Sequence, residues 1–241
     1  MFQDKKIILF DMDGTLIDSV GIWNKVDEIM LARQGVTHLS ESEIQEQRDE
    51  ALRRFRKEAQ PYLCYYQSLA ERFSFQEPAE LLLKQRYEIA HTYLEREIDY
   101  KPDADQLLHR LKELGFTLLI ATTTKRDNMN IYRTKNLKLR EKAPLDELFE
   151  HIYTREDAKK IKPDPEIYLT IMETFQVQPS ECLVFEDSLI GAEAAKRAQI
   201  ETAIMYDKYS DHERIELNRL ADHTFDNYTQ VLQQLELEQN G

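Results

Sequence analysis

The chain is poor in cysteine, glycine and proline, its basic residues are outnumbered by acidic ones, and it has no long apolar run. Each scarcity removes a class of protein. Cys64 and Cys182 are the only cysteines in 241 residues and form no CxxC pair. A disulfide framework and a cysteine-rich zinc site are therefore excluded, and reduced thiols in a reducing, cytoplasmic compartment are expected. Only 6 glycines and 7 prolines occur, spread through the chain, which leaves no long flexible linker. Lysine and arginine number 32 against 45 acidic residues, a formal net charge of -13, so no basic face for a nucleic-acid polymer is expected. That balance still permits a small anionic substrate in a locally positive pocket. No stretch is long enough to span a bilayer, and Met1 to Lys6 lacks the apolar region of a secretory signal. What is present is a chain 41% hydrophobic, sufficient for one large domain or for a core with a smaller insert.

The most informative stretch is Ile7-Ile8-Leu9-Phe10 followed at once by Asp11-Met12-Asp13-Gly14-Thr15-Leu16. A short apolar run without Gly or Pro reads as a strand buried on both faces, as in a parallel sheet. Ligands of open α/β sheets bind beyond the carboxyl ends of such strands, and Asp11 and Asp13 stand at one. Alternate residues of an extended segment point the same way, so both carboxylates can face one site. Neighbouring carboxylates are relieved by a bound cation or by unequal protonation. Gly14 permits a sharp turn directly afterwards. A strand followed by an ordinary Asx turn is the plainer alternative. A calcium loop is not supported, because position 22 is Ile22 where its glutamate belongs.

The pattern then becomes helical. Ile22, Trp23, Val26, Ile29 and Met30 recur at helical spacing, with Gly35 as a stop. Ser40 and Glu43 read as a capping box, while Pro61 and Pro78 open further helices. Roughly eighty residues of helix separate the first strand from the next, far more than one crossover needs. Arg48, Arg53, Arg54, Arg56 and Lys57 crowd one polar segment of this insert. They read as a solvated face paired with nearby acids. The alternative is that Arg53 and Arg54 reach an anionic part of a substrate.

Apolar strand patterns resume after Gly115. Phe116–Ala121 ends in Thr122-Thr123-Thr124-Lys125, where threonine is also a good strand residue and cap. His151–Tyr153 is a short candidate. It leads to Lys159-Lys160-Ile161-Lys162-Pro163-Asp164-Pro165, which announces a helix start. Cys182–Phe185 ends in Glu186-Asp187-Ser188, acids that suit a hard, oxygen-bound cation or an N-cap. Thr202–Met205 and His223–Phe225 are further strand candidates.

Taken together, Phe10-Asp11-Met12-Asp13-Gly14-Thr15-Leu16, Thr122, Lys162-Pro163-x-Pro165 and Phe185-Glu186-Asp187-Ser188-x-x-Gly191 resemble, in order, the four motifs of the haloacid dehalogenase-like (HAD) hydrolases. The resemblance implies an α/β fold, a Rossmann-like parallel sheet core with an inserted α-helical cap domain of the C1 type. Residues 1–17 and 99–241 would form the core and 18–98 the cap, which would cover the site and choose the substrate. It implies a Mg2+-dependent phosphatase acting through an aspartyl-phosphate. Asp11 would be the nucleophile, Asp13 the acid and base, Thr122 a hydroxyl donor to phosphoryl oxygen and Lys162 the charge-balancing ammonium. Thr123 and Lys125 would lie on the substrate side. Mg2+ would be held by Asp11, the backbone carbonyl of Asp13 and Asp187, with Glu186 as ligand or supporting partner. Asp13 separates this chain from the dehalogenase branch, which lacks it. The implied partner is a small phosphorylated metabolite, a sugar phosphate or nucleotide, with no membrane and a monomer or dimer in solution. A β-phosphoglucomutase-like phosphotransferase and a non-catalytic scaffold are the alternatives. The cap lacks the Gly-x-x-x-Pro-Arg-like loop of several sugar-phosphate members, so substrate identity does not transfer.

Overall fold

The computed structural model describes residues 1–55, 58 and 60–240, and of Asp49, Leu52, Arg53 and Asn240 the backbone alone. Its strands are β1 (Ile7–Phe10), β2 (Thr117–Ala121), β3 (His151–Tyr153), β4 (Cys182–Glu186), β5 (Glu201–Met205) and β6 (His223–Phe225). They form one six-stranded sheet in the order β3-β2-β1-β4-β5-β6, parallel throughout. The helices are α1 (Val20–Arg33), α2 (Glu41–Arg54), α3 (Pro61–Phe73), α4 (Ala79–Arg96), α5 (Ala104–Glu113) and α6 (Arg126–Thr134). They continue as α7 (Leu137–Lys142), α8 (Leu145–Leu148), α9 (Glu166–Phe175), α10 (Leu189–Arg197), α11 (Arg214–Leu220) and α12 (Tyr228–Asn240). The fold is thus α/β, with a helical insert between β1 and β2. No described helix is long and apolar enough to cross a membrane.

The apolar runs form strands because both faces of this sheet are covered. Ile7, Leu9, Leu119, Cys182 and Val184 pack with Ile167, Tyr168 and Ile171 of α9 and Ala194 and Ala195 of α10. On alternate positions Phe10 stacks on Phe185 at 4.8 Å between ring centroids, and Tyr228 of α12 lies 6.3 Å from Phe185. The register aligns Phe10 with Ile120 on one side and with Phe185 on the other. The carboxyl ends of β2, β1 and β4 therefore lie side by side. The strand order reverses at β1, which is where open parallel sheets leave a crevice for ligands.

The chain divides into two compact units, Met1–Ser19 with Glu95–Gly241 and Val20–Leu94. Within the second, the Ser40–Glu43 capping box forms in both directions, and Pro61 occupies the first turn of α3. Met30, Leu31, Ile44, Tyr65, Leu69 and Leu82 make its apolar core. A charged cluster is buried beside them. Asp27 accepts Arg86 Nε at 2.6 Å, Arg48 Nη1 at 3.1 Å and the Tyr66 hydroxyl at 3.0 Å. The Arg86 guanidinium lies 4.6 Å from the Trp23 ring centroid and 4.8 Å from that of Tyr62. Burial pushes the Asp27 carboxyl up, yet the two guanidiniums overcome it and hold the group below its ordinary value.

This cluster corrects the reading of Arg48 as a solvated residue. Arg48 is buried against Asp27 of α1, because a carboxylate already taken out of water needs compensating donors. Arg54 is exposed, its guanidinium 5.1 Å from the Phe55 ring centroid. It helps line a surface cleft of about 480 Å3 with Phe55, Tyr65, Glu71 and Arg72. The side chain of Arg53 lies outside the described residues, as do Arg56 and Lys57.

Candidate active site

Three strand ends and one loop supply the polar side chains at the crevice. Asp11 follows β1, its N–H donating to the Phe185 carbonyl at 3.0 Å. Gly14 then takes φ +88°, a conformation that a side chain would strain. The chain turns there, and the Gly14 N–H donates to the Ile17 carbonyl at 3.0 Å.

Lys162, on the loop before α9, is buried. Its Nζ donates to Asp11 Oδ1 at 2.8 Å, to the Ala121 carbonyl at 2.7 Å and to Glu186 Oε1 at 2.5 Å. An ammonium has three protons to give, and all three are committed to the protein. Glu186, at the end of β4, is fully buried. Its Oε2 accepts the Asp187 N–H at 3.2 Å and the Ser188 hydroxyl at 3.1 Å. Gly191 makes room for it: a Cβ there would fall 1.9 Å from the Glu186 carboxyl. Asp187 Oδ1 accepts the Thr15 hydroxyl at 2.7 Å, while Tyr228 donates to the Thr15 carbonyl at 3.1 Å.

Asp11, Glu186 and Asp187 thus form a buried group in which one carboxylate oxygen of each lies within 4.8 Å of the others. The Asp13 side chain stands apart from that group and faces hydroxyls. Its Oδ1 accepts Ser19 at 2.5 Å and Tyr132 at 2.9 Å, and its Oδ2 accepts Thr124. Thr122 is buried, and its hydroxyl donates to that of Thr124 at 3.1 Å. Thr123 is half-buried and lines a cavity of about 10 Å3 with Thr154, Arg155 and Lys162. Lys125 is exposed at the start of α6.

Residues 8–205 match the family described as haloacid dehalogenase-like hydrolase. The chain belongs to that family. It is a HAD-like phosphatase, similar to the phosphorylated carbohydrates phosphatase of Thermotoga maritima (27% identical over 198 residues, 80% of this chain and 82% of that one). It is also similar to protein CbbY of Rhodobacter capsulatus, at 24% over 208 residues, 86% of this chain and 88% of that one. A crystal structure of CbbY from Rhodobacter sphaeroides in complex with phosphate superposes with a TM-score of 0.68. It is 25% identical and covers 93% of this chain and 95% of that one.

The electrostatics of this HAD-like site suit a hard cation. Three carboxylates face one ammonium, so negative charge is in excess. Both Glu186 oxygens have donors, whereas the second oxygens of Asp11 and Asp187 have none among the described residues. Burial drives the Asp11 carboxyl up to about 7, Lys162 pulling against it and Glu186 adding to it. Burial, then Glu186 and Asp11, push Asp187 well above its ordinary value. For Lys162, burial favours the neutral amine, but Asp11 and Glu186 overcome it and keep the ammonium charged. An all-oxygen, buried, over-anionic donor set fits Mg2+ or a similar divalent ion.

A pH dependence follows. Asp11 holds its proton to about 7 when folded and to about 3.8 when unfolded. The folded state therefore binds more protons across that window, and metal-free stability falls as pH rises through it. Asp187 acts with the same sign. Melting temperature without metal should decline from pH 5 to pH 8, and added Mg2+ should raise it more at pH 8 than at pH 5. Differential scanning fluorimetry in EDTA and in Mg2+ measures this, and a flat metal-free profile would contradict it.

What sequence reasoning missed is the hydroxyl cradle of Asp13. Ser19, Thr124 and Tyr132 carry no charge, and Tyr132 sits on a helix where an aromatic reads as core. Its one signal was a polar atom on the buried side of α6, beside Asn128, Met129 and Ile131.

Proposed function

We propose that this chain is a Mg2+-dependent phosphatase cleaving monoesters of a small phosphorylated metabolite through an aspartyl-phosphate on Asp11. The observation that carries the reading is the 2.8 Å bond from Lys162 to Asp11, inside the group that also holds Asp187. A carboxylate at a strand end, oriented by a fixed cation, is placed to attack an incoming phosphorus.

In the first step an Asp11 oxygen bonds to phosphorus and the ester P–O bond breaks. The departing alkoxide takes its proton from Asp13. In the second step Asp13 takes a proton from water, whose oxygen bonds to phosphorus. The acyl-phosphate bond breaks, releasing phosphate and restoring Asp11. Lys162 has no proton left for the substrate, so it serves as fixed positive charge and as the brace between Asp11 and Glu186. The Thr122 hydroxyl rotates toward a phosphoryl oxygen. Asp11, Asp187 and the backbone carbonyl of Asp13 are the groups that would hold Mg2+, with Glu186 behind them. When bound, it supplies the positive charge that phosphoryl transfer requires.

Sugar phosphates are the class to test first, because a relative matched over most of its length is named for phosphorylated carbohydrates. The test is a phosphate-release screen across sugar phosphates, nucleotides and polyol phosphates, with Mg2+ and with EDTA. Steady, EDTA-sensitive release from a narrow set is the expected result. Isomer interconversion without net phosphate would assign the chain to a mutase instead, and no turnover of any phosphoester would overturn the reading.

A further inference from the structure

Tyr132 is fully buried, yet its ring carries a hydroxyl where phenylalanine would fill the same space. A buried tyrosine hydroxyl requires an acceptor, and this one has Asp13 Oδ1 at 2.9 Å. The bond joins residues 119 apart in the chain. It ties the buried face of α6 to the loop after β1. Of the three described donors around Asp13, Ser19 and Thr124 are short side chains whose oxygens can shift by rotation about χ1. Tyr132 cannot: its ring is enclosed, and its oxygen is held on the ring axis. Ser19 and Tyr132 converge on Oδ1, and Thr124 binds Oδ2, so both oxygens of the Asp13 carboxyl are held.

We propose that Tyr132 is a positioning residue that fixes the orientation of Asp13 for proton transfer to the leaving group. This rests on the reading of Asp13 as general acid. Tyr132 touches no reacting atom and acts through Asp13 alone. A small displacement of a proton donor costs much of its contribution, and general acid catalysis contributes about 10²- to 10⁴-fold.

The test uses leaving groups of different basicity. An alkyl alkoxide must be protonated as it departs, whereas p-nitrophenolate leaves unprotonated. The measured quantity is kcat/KM, which reports phosphoenzyme formation and not its later hydrolysis. Tyr132→Phe should lower kcat/KM for an alkyl phosphate at least about ten-fold more than for p-nitrophenyl phosphate. A merely structural role lowers both equally. Installing 4-aminophenylalanine at position 132, which keeps a donor, should restore the alkyl rate; 4-fluorophenylalanine, which fills the space without one, should not. The latter pair decides the matter if Tyr132→Phe does not fold. Asp13→Asn is measured alongside. A leaving-group difference in Asp13→Asn with none in the position-132 variants overturns the role of Tyr132 alone. Absence of the difference in Asp13→Asn overturns the reading of Asp13, and Tyr132 with it.

Discussion

Asp11→Asn should reduce phosphate release from p-nitrophenyl phosphate by at least ~10³-fold with Mg2+ present, because an amide oxygen cannot carry the phosphoryl group. The same change should leave the fold intact. Asparagine keeps an oxygen for Lys162 Nζ, which also retains the Ala121 carbonyl and Glu186. It removes a carboxyl that burial has already driven up to about 7, so at pH 8 the metal-free variant should melt at or above the wild-type temperature. The Mg2+-induced rise in melting temperature should shrink at the same time, since one of the two carboxylates with an oxygen left for the metal is gone. Loss of turnover with gain of metal-free stability separates a functional carboxylate from a structural one. Retained turnover would remove Asp11 from its role, and a collapse of melting temperature would show that its charge holds the fold.

The legible parts of this molecule were those in which one residue type does one job. β1, β2 and β4 stood out because strands covered on both faces must be apolar throughout, and the acids and hydroxyls at their ends, each open to a turn or cap reading alone, gained meaning from recurring at three strand ends in order. Lys162 was legible only through the Pro163 and Pro165 around it. The unread parts share a different cause. α7 and α8 are 6 and 4 residues long, too short for a 3.6-residue period to declare itself. Arg86 and Asp27 sit on buried faces of α4 and α1, where a count of apolar positions passes over them. Their burial depends on a partner 59 residues away, which no local pattern encodes. Tyr132 combines both difficulties: its ring reads as core, and the acceptor that gives its hydroxyl a purpose is distant in sequence.

Lys162→Met carries the second large effect and bears on how the site tolerates its own charge. The ammonium serves three acceptors and lies 5.4 Å from the Tyr168 ring centroid. Removing one member of a buried ion pair leaves its partners uncompensated and typically costs about 3–5 kcal/mol. Here one substitution strands two carboxylates at once. The loss should grow as pH rises through about 7 in metal-free protein, where wild-type Asp11 ionises beside Lys162, and should ease as pH falls and the carboxyl takes up a proton. Turnover should fall in parallel and not recover with added Mg2+, because the ammonium that hydrogen-bonds both Asp11 and Glu186 is gone. The double variant Lys162→Met with Asp11→Asn distinguishes charge from packing. If the cost is the orphaned charge, Asp11→Asn should raise the urea midpoint of the metal-free Lys162→Met protein by more than it raises that of the wild type. If the cost is packing around the lysine stem, Asp11→Asn will shift both backgrounds equally, and the electrostatic account of the brace fails.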